Sequence, residues 1–521
     1  MQVFNPYLPP SVCIPDGEPH VFGDRVYIFG SHDKEGGDTF CMLDYEVFSA
    51  PVTDLTKWRS EGTIYRADQD PNYSEMDKYM YAPDVVQGND GRFYLYYSMS
   101  GGHFTAPMHV AVCDTPAGKY EFYGIVRNPD GSIFKRNITF DPGLMNDDGV
   151  IRLYYGWALA ADNQNIGLEM MTLAGKQKRL QVEMAMFEKT AEEIAAEPMG
   201  IQGANVVQLA DDMLTVIDGP KRIVPGQFDA AGTSFEGHAF FEASSIRKVG
   251  DTYYFIYSSE VQHELCYATS KYPDRDFVYG GIIVDNGDIS YKGRLEKDRV
   301  AATGNNHGSM ENINGQWYMF YHRQTHKTSF SRQGCAEKIE MKSDGSIAQV
   351  EMTSCGLNKG PLTAGGSYPA VIACVLTNGH MPHISPQTGN ETIPYMTHEG
   401  HQQFIADISD GTEIGFKYFA FETAEAKKTV TLKVTVRGSF DGSFEVIAGG
   451  YEDGGNAGSG KKIGEIVVKS STMWYEPSCV LDMTKLAAAA SDPSVDGAWV
   501  AGLFFKYCGH GCGDLLSFEF A

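Results

Sequence analysis

One short pattern occurs five times in this chain, and each copy opens on a polar residue able to do chemistry. The copies run DGEPHVFGDRVYIFG from Asp16, DVVQGNDGRFYLYYS from Asp84, DPGLMNDDGVIRLYYG from Asp141, EASSIRKVGDTYYFIYS from Glu242 and HGSMENINGQWYMFYHR from His307. Each reads as a strand, a tight glycine turn and a second strand rich in aromatic and β-branched residues, which is the pattern of a β-hairpin. The opening residue stands seven or eight positions before the turn glycine, at Gly23, Gly91, Gly149, Gly250 and Gly315. Repeated β-units of this kind predict blades around an axis, and a fixed offset puts the same strand end at the same radius in every blade. Asp16, Asp84, Asp141, Glu242 and His307 then converge on one axial pocket.

At 521 residues the chain exceeds what one hydrophobic core serves. Its 57 glycines punctuate short runs holding 29 tyrosines and 29 phenylalanines, a β-rich composition. The repeat ends near residue 350, after SRQGCAEKIEMKSDGSI. Beyond it, alternating runs such as TVTLKVTV and GSFEVIAGG are separated by Gly, Asp and Asn turns, as in a β-sandwich. The expected fold is therefore all-β, a five-bladed β-propeller over residues 1–350 followed by a β-sandwich over 355–521. The interval from Gly156 to Phe235 is too long for one blade connection, and KTAEEIAAEP within it offers Thr190 as the N-cap of a short inserted helix.

A formal net charge of -25 repels nucleic acid and anionic membranes, so a neutral ligand fits better. No stretch approaches the roughly 20 apolar residues that span a bilayer. The opening MQVFNPYLPPSVCIPDG has neither a basic nor an apolar leader region, and the ten cysteines lack a framework spacing. Both features lead to the expectation of a cytoplasmic protein with reduced thiols. Cys508-Gly-His510-Gly-Cys512 has no second ligand pair and does not make a metal site by itself.

An acid before a turn is commonly a turn former, but Asp141 follows Phe140, and Glu242 follows Phe240 and Phe241. Carboxylates in such apolar company are costly unless used or paired. Several carboxyl groups around one cleft suit glycosidic bond cleavage: one protonated to assist the leaving oxygen, one ionised to activate water. A propeller lectin that binds sugar without cleaving it shares the polar pocket but needs no such division.

These segments resemble glycoside hydrolase family 43, whose five-bladed propellers carry an Asp base, an Asp that tunes pKa and a Glu acid. The resemblance makes Asp16, in IPDG, the base, with Glu18 as a neighbouring alternative. Asp141, in FDPGL, becomes the pKa-tuning residue. Glu242, in FFEAS, becomes the acid, with Glu236 in FEGH as the alternative. YAPD is similar to a family motif that lines the sugar site, which implies substrate contacts from Tyr81 and Asp84, with Phe140 beside Asp141. NHGS implies that His307 contacts substrate or, through water, a structural calcium ion on the axis. Arg332, in FSRQGCAEKI, corresponds to an arginine directed at the innermost sugar. The sandwich resembles carbohydrate-binding modules, for which Trp474 and Tyr475 offer stacking rings. The activity implied is inverting, exo-acting hydrolysis of pentose-containing oligosaccharides, as an α-L-arabinofuranosidase, a β-xylosidase or both, with an endo-acting arabinanase or xylanase as the alternative on the same fold.

Overall fold

The five glycine turns are hairpin turns, and each hairpin forms the two innermost strands of a separate sheet. The computed structural model describes residues 2–100, 107–159, 173–187, 189–197, 200–385, 392–422, 429–449, 457–490 and 497–521. Four blades are antiparallel four-stranded sheets spanning 18–65, 79–125, 143–225 and 240–284, each running outward from the axis in chain order. The fifth has three strands within 310–338. In blades 3 and 5 the turn pairs Asp148-Gly149 and Asn314-Gly315 hold positive φ at both positions, the backbone that matches strand twist in two-residue loops.

The innermost strands are Glu18–Phe22, Tyr79–Gln87, Gly143–Asp147, Phe240–Val249 and Met310–Ile313. The ring closes where Gly17 of blade 1 meets Gly308 of blade 5 in a parallel bridge. A Cβ at Gly308 would stand 1.9 Å from the Phe320 carbonyl oxygen, so the closure requires glycine there. The N-terminal segment reinforces the seam along blade 5. Asn5 donates from its side chain to the Ala336 carbonyl at 3.0 Å, and the Tyr7 amide donates to Gly334 at 3.3 Å. Adjacent blades pack through rings such as Tyr94, Tyr96, Tyr154 and Tyr155, all fully buried. Burying a large apolar side chain contributes about 1.5–3 kcal/mol, and these rings supply much of the force that holds blade to blade.

The interval between Gly156 and Phe235 includes the third and outer strands of blade 3, Gly203–Leu209 and Val216–Pro225. The expected short helix is Ala191–Ala195, with Thr190 accepting from the Glu193 amide in a capping box. A second helix, Leu173–Phe187, precedes it and was not legible as a helix, because its apolar residues form no clear stripe. Among the described residues no helix is long and apolar enough to cross a membrane.

Two sheets of six and seven strands form the C-terminal sandwich around Phe416, Phe419, Phe505 and Phe518. Trp474 is half-buried against Phe404, and the Arg437 guanidinium lies 4.4 Å over its ring. Tyr475 turns its hydroxyl back to the Lys469 carbonyl at 2.8 Å. One face of Trp474 is thereby occupied by Arg437.

Sandwich and propeller share a buried seam. Lys417 of the sandwich, fully buried, lies 2.7 Å from Glu351 and 3.3 Å from Asp288, while the Tyr418 hydroxyl donates to Glu351 at 2.6 Å. Substituting one partner of such a cluster strands the others in a dry site. Lys417→Met is therefore expected to destabilise the protein by about 3–5 kcal/mol, because Asp288 and Glu351 lose their counter-charge. Thermal unfolding of the variant checks this, and a melting temperature equal to that of the unmodified protein contradicts it.

Candidate active site

Local backbone strain marks the axial pocket before its chemistry is considered. Asp16, Asp141 and Ala243 all have positive φ, at 56°, 48° and 67°. Such conformations are uncommon for residues with a Cβ, and they collect at functional sites where surrounding structure holds them. The ladders of blades 2 and 4 also slip, between Tyr81 and Asp84 and between Phe240 and Ser245. A bulge of this kind re-aims a side chain, and here it turns Glu242 toward the axis.

Asp16 is buried and sits at the end of a guanidinium clamp. Arg332 donates from Nη1 to Asp16 at 2.8 Å, while its Nε and Nη2 grip the two oxygens of Asp33 at 2.8 and 3.0 Å. Phe40 covers the guanidinium at 4.9 Å. His322 completes the shell. Its Nδ1 accepts the Asp16 backbone N–H at 3.3 Å, and its Nε2 donates to the Asn305 carbonyl at 2.8 Å, so the ring is neutral. Burial pushes His322 down to about 3, which agrees with that tautomer. Burial, the largest influence, would raise the Asp16 carboxyl, but the Arg332 charge together with His322, His307 and a hydrogen bond from Ser31 outweighs it and holds Asp16 below the usual carboxylate range.

Asp141 has the opposite environment. Its Oδ2 accepts the Ala243 amide at 3.0 Å and lies 3.6 Å from His307 Nδ1. Burial, then the charges of Glu242 and Asp16, push Asp141 well above the usual range. A carboxyl group buried beside other acids keeps its proton to higher pH than it would in water. The partner acid Glu242 is 16% exposed, against 4% for the Asp141 side chain, so Glu242 is the member that reaches the open cleft. His307 stands between the acids, buried, with no protein partner on Nε2. Burial lowers its pKa and keeps it neutral.

The other expected residues divide. Tyr81 and Phe140 stand side by side, 6.0 Å between centroids, as an aromatic wall beside Asp141. Asp84 is fully buried, and its oxygens accept from His20 at 2.6 Å, from Val85 at 2.7 Å and from the Leu144 amide of blade 3 at 2.6 Å. These bonds tie Asp84 into the seam between blades 2 and 3, just after the bulge that follows Tyr81. Arg332 is likewise turned to Asp16 and Asp33. Glu18 lies in the same deeper layer as Asp84, bound by Arg247 at 3.1 Å, and burial raises it to about 7. Glu236 is exposed and only closes a local turn onto the Gly232 amide, which separates it from the site. The groups of His, Cys, Asp and Glu that are close enough to hold a metal do not include His307, Cys508, His510 or Cys512 among the described residues.

Four residues of this site were not singled out from the sequence. Asp33 and His322 support Asp16, and His263 lies 3.6 Å from Glu242. His383 comes from the sandwich side of the chain. It stacks on His263 at 5.3 Å and 8°, held by a parallel bridge to Thr303. A ladder argument finds His322: three steps beyond the Met310↔Met319 pair, it falls opposite His307.

Residues 12–199 match the family described as Glycosyl hydrolases family 43. Over 532 aligned residues the sequence is 44% identical to a xylosidase/arabinosidase of Thermoclostridium stercorarium, covering 99% of this chain and 98% of the relative. The chain belongs to glycosyl hydrolases family 43. It is thus a glycoside hydrolase, and the propeller is its catalytic fold. It is 28% identical to a xylosidase/arabinosidase of Bacteroides ovatus over 61% of this chain and 87% of that one. A crystal structure of a GH43 enzyme from Xanthomonas citri superposes with a TM-score of 0.50 at 23% identity, over 67% of this chain and 94% of that one, and shows the same fold.

A base that is held ionised and a buried acid that holds a proton predict a bell-shaped pH profile for kcat/KM. Activity falls at low pH only as Asp16 protonates, below the ordinary aspartate value of about 3.9. It falls at high pH as the acidic side of the pocket, where Asp141 is held well above the ordinary range, loses its proton. Asp141→Asn removes that group, so the alkaline limb is expected to move to lower pH. A limb left in place contradicts this role for Asp141.

Proposed function

We propose that this family 43 enzyme is an inverting exo-glycosidase that removes arabinosyl and xylosyl units from xylan- or arabinan-derived oligosaccharides. The observation that carries the mechanism is the charge division in the pocket: Asp16 is paired to Arg332 while Asp141 is pushed up beside Glu242. The relative at 44% identity, a xylosidase/arabinosidase, supports the choice of pentosides. A lectin would have no need of that division.

In this reading Glu242 protonates the leaving oxygen from the open side of the pocket. Asp16 takes a proton from water on the opposite face, and the sugar inverts in one displacement. Arg332 keeps Asp16 ionised, and Asp141 keeps the proton available to Glu242. Tyr81 and Phe140 wall the sugar, and His307 offers its unpartnered Nε2 to a hydroxyl or a water. A calcium ion on the axis fits that nitrogen and the unpartnered Oε1 of Glu18, both through water, and would supply charge balance and rigidity only. The ten unpaired cysteines support a cytoplasmic location, where short oligosaccharides are the substrates.

Asp16→Asn and Glu242→Gln are each expected to lower kcat on an unactivated oligosaccharide about 10²- to 10⁴-fold with the fold intact. Proton NMR of the first-formed pentose should show inverted configuration, and retention overturns the one-step displacement. If a calcium ion is held, chelation lowers the melting temperature and added calcium restores it. An unchanged melting curve removes calcium from the account.

A further inference from the structure

Three segments far apart in sequence bring metal-ligating atoms together on the side of the molecule where sandwich and propeller meet. Glu35 belongs to the loop after the second strand of blade 1. His326 lies in the turn between blade 5 strands Gln316–Thr325 and Thr328–Lys338. His398 is on the sandwich strand Tyr395–Glu399. His326 Nε2 lies 2.9 Å from His398 Nδ1, and His398 Nδ1 lies 3.4 Å from a Glu35 carboxylate oxygen. All three ligand atoms fall within 4.8 Å of one another. We propose that Glu35, His326 and His398 form a site for a divalent transition metal, with zinc as the best fit, that clips the sandwich to the propeller.

The donor set decides the class of ion. Two imidazole nitrogens and one carboxylate suit zinc and its neighbours, whereas calcium takes oxygen ligands. Ligand atoms around tetrahedral zinc at its usual bond lengths stand about 3.3 Å apart, and the His326–His398 and His398–Glu35 spacings lie within a few tenths of an ångström of that value. The fourth position faces outward, since the His398 side chain is 30% exposed, and a water can fill it.

The surrounding shell is built for the ligands. Thr325 Oγ1 holds His326 Nδ1 at 2.8 Å, which points Nε2 at the cluster, and the His326 amide is fixed to the Met396 carbonyl at 2.9 Å. Gln403 donates to the Glu35 carboxylate. Such partners orient ligands and tune affinity. His326 and Lys327 both carry positive φ, at 59° and 54°, a strained turn that presents the imidazole. Lys327, next to His326, is turned away to Asp407 at 2.7 Å.

Two other groups of potential ligands fare less well. Glu18, His20 and Asp84 on the axis are tied up by Arg247 and by one another. His238, Glu264 and Cys266 are closed into a tight hydrogen-bonded set, with His238 stacked on Tyr279.

The test uses the full-length protein, stripped of metal and returned to buffer containing calcium, and titrates it with zinc chloride by calorimetry. The expected result is one zinc per chain, a rise in melting temperature, and a zinc-edge absorption spectrum showing two imidazole nitrogens. His326→Gln, His398→Gln and Glu35→Gln should each weaken zinc binding about tenfold or more, with His238→Gln as the unaffected control. Melting curves and turnover of the metal-free variants, which lie outside the catalytic pocket, should match those of the metal-free parent. Failure to bind zinc at submillimolar concentration overturns the proposal. So does binding that survives all three substitutions, or binding lost with His238→Gln alone.

Discussion

The Arg332 guanidinium, buried between Asp16 and Asp33, is the interaction on which the rest of the pocket depends. A buried charge of this kind is retained only when its partners are close and well oriented, and here two carboxylates and an aromatic ring surround it. The clamp joins blade 5 to blade 1, so it also lies across the ring closure. Gly17 and Gly308 bring the two backbones together beside it. The same contact that stabilises the closed propeller thereby fixes the ionisation state of the base. Cutting it would leave Asp16 and Asp33 side by side in a dry site, where one would take up a proton.

Around that fixed charge the other carboxyl groups sort by burial and neighbours. Asp141 has one backbone donor and two nearby acids, so the acidic side of the pocket keeps a proton that the Arg332 side does not. His307 and His322 stay neutral between them, which prevents the histidines from quenching the division. Asp84 and Glu18 form a deeper layer with His20 and Arg247 and hold the inner strands at the right spacing. One axial column thus contains a catalytic tier above a structural tier, built from residues that look alike in the sequence.

The blades and their opening residues were legible because hairpin turns are local: an Asp-Gly or Asn-Gly pair between aromatic strands specifies its own geometry. Asp16, Asp141, Glu242 and His307 reach one pocket for that reason. Asp84 shares the offset yet is tied into the seam with blade 3, a contact that leaves no local sign. His322 was recoverable from ladder register, and so was Ser31, two steps beyond the Glu18↔Phe29 pair and opposite Asp16. Asp33, His263 and His383 were not. Asp33 is defined by Arg332, some three hundred positions away, and His383 by the docking of a second domain. Long-range pairing of single polar residues has no period that a sequence scan can register.

The sandwich is better understood as a buttress than as a second sugar grip. Its half-buried Trp474 is covered by Arg437, whereas its contacts with the propeller are specific and polar. Lys417 anchors its core to Asp288 and Glu351, and His383 extends it to the side of Glu242, the proposed acid, through His263. A stack of two imidazoles beside Glu242 restricts how that carboxyl can turn, because His383 is held by Thr303 on one side and His263 abuts Phe241 on the other. Acid catalysis depends on that orientation more than on added binding energy, since a proton must be delivered along a defined line to the leaving oxygen. In the proposed mechanism the second domain therefore limits motion of the acid at a distance of two side chains.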